Sequence, residues 1–283
     1  MKISEIPFLD LQIEQALRED IGDGDHSALS CIPEDHLGGA KLLIKEDGII
    51  AGVELAEIIL KKVDPSIEVE VSIQDGSPIK KGDIAFIAKG PTVALLRAER
   101  LLLNYMQRLS AIATKTNHFV KLIEGTNAKI LDTRKTTPGL RYLEKWAVTQ
   151  GGGHNHRMGL FDMIMLKDNH IDFAGGIPQA VERARNYIAS KGLNIPIEVE
   201  TRDMGEVEQA LNAGGVDRIM LDNFTPAQTH EAVQFIKGKV EVESSGGINE
   251  STIRDYAECG VDFISVGALT HSVYGLDMSF KAL

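Results

Sequence analysis

The sequence is poor in the features that mark exported, membrane-bound and nucleic-acid-binding proteins. Only two cysteines occur in 283 residues, Cys31 and Cys259, and we expect them to be reduced thiols of a cytoplasmic protein rather than a disulfide. No apolar run approaches the roughly 18 residues that a membrane helix needs, and the first residues contain no apolar segment of signal-peptide length. Positive charge is also scarce: 30 Lys and Arg against 41 Asp and Glu leave a net charge of -11, which argues against general nucleic-acid binding.

One segment departs from this acidic background. Residues 132–170 contain six Lys or Arg, three His and a triple glycine at 151–153. Cations that line one pocket outweigh acids elsewhere on the surface, because charges are screened over about 8 Å at physiological salt. The segment therefore predicts a binding site for a small, highly anionic substrate.

Residues 128–270 alternate between strand-like and helix-like stretches. The candidate strands are short apolar runs at residues 128–134, 163–167, 195–201, 218–223, 240–245 and 263–267. The candidate helices cover residues 178–191, 204–212, 226–236 and 251–258, the last three with Asp203, Thr225 and Asn249 as N-terminal caps. This α/β alternation predicts a parallel sheet wound into a β/α barrel.

The first 110 residues predict a separate arrangement of strands and helices. Strand-like runs at residues 41–44, 48–53, 67–73 and 84–88 alternate with turn signals, and residues 54–62 form a candidate helix. Leucines at helical spacing predict a long helix from about residue 92 to 124. We therefore expect an N-terminal domain at residues 1–110, completed by residues 271–283, and a barrel domain at residues 111–270.

Polar or glycine residues stand at the C-terminal ends of the candidate barrel strands. In chain order they are Arg134, Lys167, Glu200, Asp222, Ser245 and Gly267. Barrel enzymes build their active sites at this edge of the sheet. One charged strand end carries little weight, but two bases followed by two acids predict a pocket.

The last two strand ends predict a phosphate site. Ser245 is followed by Gly246 and Gly247, and the next strand ends at Gly267. Glycine allows backbone amides to approach a phosphate closely, and barrel phosphate sites recur at the last strands. The alternative is that these glycines form two ordinary turns.

The cations of the segment suit a ligand with several carboxylates or phosphates. They are Arg134, Lys135, His156, Arg157 and Lys167. Arginine offers a planar fork that matches a carboxylate, and lysine is a mobile point charge suited to phosphate. The alternative is that Arg134 and Arg157 pair with Asp132 and Asp162.

The two acidic strand ends predict a complementary role. Glu200 and Asp222 can accept hydrogen bonds from ribose hydroxyls and hold Mg²⁺, which prefers oxygen ligands. Their alternative role is to balance the charges of Lys167 and Arg134.

Other chemistries account for parts of the pattern. Zinc binding by His154, His156 and His170 is disfavoured, because no cysteine stands nearby and the cations would repel a metal. Lys167 could instead act as the nucleophile of a Schiff-base aldolase, although its cationic surroundings suit anion binding better. A sensor that binds a phosphorylated metabolite without turnover is a further, non-enzymatic alternative.

Motifs spread over nearly the whole chain carry a family resemblance. They are Glu99-Arg100 with Leu103-Asn104, Asp132-Thr133-Arg134-Lys135-Thr136-Thr137-Pro138-Gly139-Leu140-Arg141, Gly151-Gly152-Gly153-His154-Asn155-His156-Arg157, Lys167-Asp168-Asn169-His170, Glu198-Val199-Glu200-Thr201, Leu221-Asp222-Asn223, Glu243-Ser244-Ser245-Gly246-Gly247 and Ser265-Val266-Gly267. Together they resemble the quinolinate phosphoribosyltransferases, also called carboxylating nicotinate-nucleotide pyrophosphorylases. The chain departs from the family at Ala111, often glycine, and at Asp25-His26-Ser27, usually closer to Asp-Leu-Thr.

The resemblance implies a fold, an assembly and a reaction. The fold is an incomplete, roughly seven-stranded β/α barrel with an open α/β sandwich, and the assembly is a homodimer in which Arg100 reaches the neighbouring active site. The reaction is that of a type II phosphoribosyltransferase in NAD biosynthesis. It joins quinolinate to 5-phosphoribosyl-1-pyrophosphate and yields nicotinate mononucleotide, pyrophosphate and CO₂. A molybdenum-transport-associated paralogue with the same fold is the alternative within this resemblance.

The resemblance also implies a role for each candidate site residue. Quinolinate is held by Arg134, His156, Arg157, Lys167 and the partner subunit's Arg100. Lys135 meets the pyrophosphate, and Glu200 and Asp222 hold the ribose hydroxyls and Mg²⁺, so these three are the expected catalytic residues. The 5-phosphate is bound by Ser245, Gly246, Gly247 and Gly267.

Overall fold

A computed structural model describes residues 3–283 of the chain. Its strands are β1 (Leu37–Ile44), β2 (Gly48–Ile49), β3 (Glu68–Val71), β4 (Pro78–Ile79), β5 (Ile84–Pro91), β6 (Lys129–Leu131), β7 (Ile164–Leu166), β8 (Ile197–Thr201), β9 (Arg218–Asp222), β10 (Glu241–Ser245), β11 (Phe263–Ser265) and β12 (Met278–Ala282). Its helices are α1 (Leu9–Ile21), α2 (His26–Cys31), α3 (Val53–Val63), α4 (Thr92–Leu122), α5 (Arg141–Gln150), α6 (Asp168–Ala174), α7 (Ile177–Lys191), α8 (Met204–Ala213), α9 (Pro226–Ile236), α10 (Ile253–Glu258) and α11 (Ala268–His271). Within residues 3–283, every helix is too short or too polar to span a lipid bilayer.

These elements divide between two compact units. One comprises the chain up to Asn117 together with Thr137–Gly152 and Leu269–Leu283, and the other comprises His118–Thr136 and Gly153–Ala268. The predicted domains at residues 1–110 and 111–270 follow chain order, whereas the compact units do not, because α5 belongs with the first unit. The predicted domain limits stay a prediction.

An antiparallel sheet organises the first unit. Its strand order is β12-β1-β5-β3, and β12 pairs along β1 from Ala40 to Ile44. Alternate residues of β1 (Ala40, Leu42 and Ile44) are buried, as expected for a sheet with one covered face. Helix α3 buries Leu55 and Ile59. The predicted α/β sandwich is confirmed.

A parallel sheet organises the second unit. Its strand order is β6-β11-β10-β9-β8-β7, and a parallel bridge between Leu131 and His154 extends it beyond β6. Six strands and this bridge make the incomplete barrel of about seven strands that the resemblance implied, and that prediction is confirmed. Because the strands are parallel, their C-terminal ends lie at one edge.

Two helix starts confirm the predicted caps. The carboxylate of Asp203 accepts a hydrogen bond from the Glu206 amide at 2.9 Å, and the Thr225 hydroxyl accepts one from the Gln228 amide at 3.3 Å. Such caps satisfy backbone donors that have no partner within the helix.

The other predicted boundaries differ in identifiable ways. Residues 48–53 are not one strand, because the Asp75 carboxylate accepts hydrogen bonds from the Gly52, Val53 and Glu54 amides at 2.6, 2.8 and 3.1 Å and starts α3 there. Asn249 is not the cap of α10. Its side chain accepts a hydrogen bond from the Ser251 amide at 3.0 Å, and this turn delays the helix until Ile253.

Candidate active site

The C-terminal edge of the barrel sheet brings four predicted residues together. Glu200 lies in β8, and Asp222 and Ser245 end β9 and β10 as direct partners in the strand register. Lys167 follows the last residue of β7 and precedes α6. Neighbouring strands are about 4.8 Å apart, so this register places acidic, basic and hydroxyl groups side by side.

Lys167 and Glu200 form a close ion pair between Nζ and Oε2. The Lys167 side chain is 42% exposed and that of Glu200 is 12% exposed, so the pair faces the solvent side of the pocket. The predicted charge balance between these two residues is therefore present. A lysine amine that contacts a carboxylate in this way is poorly suited to act as the nucleophile of an aldolase.

Arg134 and Arg157 are half-buried guanidinium groups that form no ion pair with a carboxylate in residues 3–283. Among residues 3–283, neither forms an ion pair within 4.0 Å, and Arg134 Nε has no hydrogen-bond partner. Burial lowers the pKa of Arg157 and the charge of Arg134 lowers it further, although the more distant carboxylates of Glu198, Asp162 and Glu200 act in the opposite direction. Two half-buried guanidinium groups that form no ion pair make a site for an anion.

The carboxylates of Asp132 and Asp162 hold backbone amides instead of these arginines. Asp132 accepts hydrogen bonds from the His156 amide at 2.9 Å and from Asn155 Nδ2 at 2.6 Å. Asp162 accepts hydrogen bonds from the Met158 amide at 2.6 Å and from the Gly159 amide at 2.9 Å. The alternative pairing of Arg134 and Arg157 with these aspartates is therefore not what the structure shows.

The His156 ring points into the barrel interior. Its Nε2 lies 3.0 Å from Glu198 Oε2 and 3.3 Å from Glu243 Oε2, and both carboxylates are fully buried. Arg218 Nη1 lies 3.2 Å from the same Glu243 oxygen. We call Arg218, Glu243, Glu198 and His156 the buried quartet.

The buried quartet holds one proton more than two ionised carboxylates, one guanidinium and a neutral imidazole would carry. Burial lowers the pKa of His156, but its contacts with Glu198 and Glu243 outweigh burial and raise the pKa to about 9. Burial and the neighbouring Glu243 raise the pKa of Glu198 to about 7. The Arg157 amide donates a hydrogen bond to His156 Nδ1 at 2.6 Å, which leaves Nε2 as the ring nitrogen that carries hydrogen. The extra proton therefore belongs to the pair of His156 Nε2 and Glu198, not to the imidazole alone.

The quartet is also the one group of potential metal ligands among residues 3–283, with ligand atoms of His156, Glu198 and Glu243 within 4.8 Å of one another. Two carboxylates, one guanidinium and one proton already sum to zero charge. A divalent ion added there would leave a buried positive charge, which is costly. Among residues 3–283, His154 and His170 do not join such a group, so the structure does not bring the three histidines of the zinc alternative together.

The glycines after β10 adopt conformations that other residues rarely adopt. Gly246 and Gly247 have φ angles of 92° and 63°, in the left-handed region that favours glycine. A Cβ atom at Gly246 would lie 2.3 Å from Asn223 Oδ1. Asn223 itself has a φ of 57°, and its Nδ2 donates to Asp222 Oδ2 at 2.8 Å. Asn223 thus links the acidic strand end to the predicted phosphate loop.

The remaining predicted residues occupy varied positions. Lys135 is exposed, and its amide donates to the Thr133 hydroxyl at 3.1 Å. Gly267 lies between β11 and α11. Arg100 is exposed on α4, in the first unit, so its predicted place in a neighbouring active site stays a prediction.

Sequence reasoning did not assign roles to Glu198, Glu243 and Arg218. A usable signal was present, because Glu198 stands between the apolar residues Ile197 and Val199, and Glu243 follows Val242, in runs predicted to be buried strands. Charged residues are almost never fully buried unless they are paired.

Comparison with known proteins identifies the family. Residues 25–110 match "Quinolinate phosphoribosyl transferase, N-terminal domain", and residues 112–281 match the C-terminal domain of the same description. The chain belongs to the quinolinate phosphoribosyltransferase family. The recognition made from the motifs is confirmed, and so are the fold and the enzyme class that it implied.

Individual members of the quinolinate phosphoribosyltransferase family are similar over nearly the whole of this chain. "Nicotinate-nucleotide pyrophosphorylase [carboxylating], chloroplastic" from Oryza sativa is 45% identical over 97% of this chain and 78% of its own length. The "Probable nicotinate-nucleotide pyrophosphorylase [carboxylating]" of Bacillus subtilis is 41% identical over 95% of this chain and 93% of its own. The solved structure of NadC from Streptococcus pyogenes superposes with a TM-score of 0.93 at 37% identity, over 98% of both chains.

Proposed function

We propose that the chain converts quinolinate and 5-phosphoribosyl-1-pyrophosphate into nicotinate mononucleotide, pyrophosphate and CO₂, as a phosphoribosyltransferase of NAD biosynthesis, at the C-terminal edge of its barrel. The observation that carries this proposal is the pair of half-buried guanidinium groups, Arg134 and Arg157, with no carboxylate within 4.0 Å in residues 3–283. Quinolinate carries two adjacent carboxylates, and it can supply the negative charge that these cations lack.

The cationic side of the pocket orients quinolinate. Arg134 and Arg157 bind its carboxylates through charge-assisted hydrogen bonds, each worth roughly 1.5–3 kcal/mol. Lys167 adds a third cation, and it exchanges part of its contact with Glu200 for the substrate. His156 supports this side indirectly, because its ring accepts a hydrogen bond from the Arg157 amide.

The acidic side and the glycine loop take the sugar donor. Glu200 and Asp222 accept hydrogen bonds from ribose hydroxyls and stabilise the positive charge that develops on the sugar. Backbone amides at Gly246, Gly247 and Gly267, with the Ser245 hydroxyl, bind the 5-phosphate. Lys135, exposed beyond β6, contacts the pyrophosphate.

The reaction then requires orientation and fixed charge more than proton transfer. The lone pair of the pyridine nitrogen forms the bond to the sugar carbon, and the electrons of the broken carbon–oxygen bond leave with pyrophosphate. The ring nitrogen is now positive. It stabilises the carbanion that forms when CO₂ departs from the adjacent carbon, and a proton from solvent completes nicotinate mononucleotide.

We propose Mg²⁺ as the cofactor. Two carboxylates at neighbouring strand ends, Glu200 and Asp222, fit an ion that binds proteins through one or two carboxylates and otherwise through phosphates and water. When bound, the ion neutralises the pyrophosphate and so eases its departure.

We also propose that the protein is a homodimer in which Arg100 reaches the partner's pocket. The support is the exposure of Arg100 on the long helix α4 and the membership of the family. Location in the cytoplasm stays a prediction, supported by two unpaired cysteines, Cys31 and Cys259. Plant relatives are named as chloroplastic or mitochondrial proteins.

The test is product formation from quinolinate, the phosphoribosyl donor and Mg²⁺, followed as labelled CO₂ and mononucleotide, with nicotinate as the control substrate. We expect Arg134→Ala and Arg157→Ala to lower kcat/KM for quinolinate by about 10²–10⁴-fold, since each removes two charge-assisted hydrogen bonds. Arg183→Ala is the matched control, because Arg183 is exposed on α7.

Near-normal efficiency in both pocket variants would refute the assignment of the dicarboxylate site. Chelation of Mg²⁺ should stop turnover and leave quinolinate binding intact. Turnover that persists without divalent ions would refute the magnesium proposal alone. No activity in folded wild-type protein would favour the molybdenum-associated paralogue or a sensor.

A further inference from the structure

Side chains hold four successive backbone amides in the loop after the triple glycine. The amides belong to His156, Arg157, Met158 and Gly159, and their acceptors are Asp132, the His156 ring and Asp162. The position of this backbone therefore follows from the positions of three side chains. The Arg157 amide is held by the imidazole of the preceding residue, His156.

The His156 ring is in turn located by the barrel interior. Its Nε2 contacts Glu198 of β8 at 3.0 Å and Glu243 of β10 at 3.3 Å. Arg218, at the start of β9, contacts Glu243 at 3.2 Å and lies with its guanidinium carbon 4.0 Å from the centre of the Phe263 ring. A continuous series of polar contacts thus crosses three adjacent strands and ends at the Arg157 amide.

Charged groups are an unusual filling for a barrel interior, which is normally packed with branched apolar side chains. Buried ion pairs add little stability compared with apolar residues of similar volume, because removing charges from water is costly. These ion pairs nonetheless confine the ring, because turning His156 Nε2 away would leave the buried Glu198 carboxylate without a cation within 4.0 Å. This points to a geometric role rather than a stabilising one.

We propose that Glu198, Glu243 and Arg218 are positioning residues for quinolinate binding. They orient the His156 ring, whose Nδ1 holds the Arg157 amide and so directs the Arg157 guanidinium toward the substrate carboxylate. The proposal rests on the proposed function of Arg157. None of the three residues touches the substrate in this scheme.

The test compares isosteric variants of the quartet with a matched variant beside it. Glu243→Gln and Glu198→Gln keep the side-chain shape and remove the charge that faces His156 Nε2. Glu241→Gln is the control: Glu241 contacts the same arginine at 2.9 Å and lies on the same strand, but it is half exposed and does not contact His156. Steady-state constants for quinolinate and for the phosphoribosyl donor are measured separately for each folded variant.

We expect the KM for quinolinate to rise at least about tenfold in both quartet variants, because small displacements of a positioning group cost up to about 10²-fold. The KM for the phosphoribosyl donor should stay within about twofold, and Glu241→Gln should match the wild type. A purely structural role would change the amount of folded protein and leave both KM values alone. Unchanged quinolinate KM in a folded quartet variant overturns the proposal.

Two further variants keep the result interpretable. If the glutamine variants do not fold, Glu243→Asp keeps the charge and withdraws it by one methylene group, and the same tenfold criterion applies. Arg157→Ala is measured in the same series. If it is impaired while the quartet variants are normal, only the positioning proposal fails; if it is normal, the proposed function of the pocket fails as well.

Discussion

The ion pair between Arg108 and Glu144 offers the sharpest test of the energetics within the first unit. Glu144 on α5 is fully buried. Its Oε1 accepts hydrogen bonds from Arg108 Nε at 2.7 Å and pairs with Arg108 Nη2 at 2.6 Å, and its Oε2 accepts one from the Thr137 amide at 3.1 Å. Arg108 Nη2 also donates to the Thr270 carbonyl at 3.1 Å. One arginine thus joins α4, α5, α11 and the segment that precedes α5.

Removing Arg108 leaves a fully buried carboxylate without its cation. Breaking a buried pair in this way costs about 3–5 kcal/mol, because the remaining charge is uncompensated. We therefore expect Arg108→Met to lower the free energy of unfolding by about that amount. Glu144→Gln should cost less, roughly 1.5–3 kcal/mol, because the amide oxygen still accepts the Thr137 hydrogen bond.

The assay is urea unfolding at constant pH, followed by circular dichroism, for Arg108→Met, Glu144→Gln, Glu144→Leu and the double variant that combines Arg108→Met with Glu144→Leu. The double variant should be less destabilised than Arg108→Met alone, since it removes the uncompensated charge together with its partner. A loss below about 1 kcal/mol for Arg108→Met, or strictly additive effects, would show that this reasoning is wrong.

Two further outcomes follow from the barrel site. Gly246→Ala should raise the KM for the phosphoribosyl donor at least about tenfold, because its Cβ would lie 2.3 Å from Asn223 Oδ1; an unchanged KM contradicts the phosphate-loop assignment. The pKa of His156 is raised from 6.5 to about 9 on folding, so its stabilising contribution is complete below about pH 6.5 and is lost as pH rises through about 9. Urea unfolding measures this contribution. Between about pH 6 and pH 9.5, the free energy of unfolding should fall more for the wild type than for His156→Gln. Equal decreases would exclude a contribution of His156 protonation to stability.

Local sequence patterns determined the barrel strands and the edge at which the site lies. The strands at 197–201, 218–222 and 241–245 lie within the predicted runs, because short apolar runs between polar ends describe buried parallel strands. Parallel strands place their C-terminal ends at one edge whatever the rest of the chain does. Lys167, Glu200, Asp222 and Ser245 could therefore be placed at one site from their positions along the chain alone.

Tertiary structure alone decided the direction of His156 and the identity of its partners. Sequence reasoning treated His156 as one more substrate-facing cation, whereas its ring is buried against Glu198 and Glu243. Which face of a loop turns inward depends on acceptors far away in sequence, here Asp132 and two strands that begin more than forty residues later. The sequence carries these charges, but only the closing of the sheet brings them within hydrogen-bonding distance, and only burial makes their pairing obligatory.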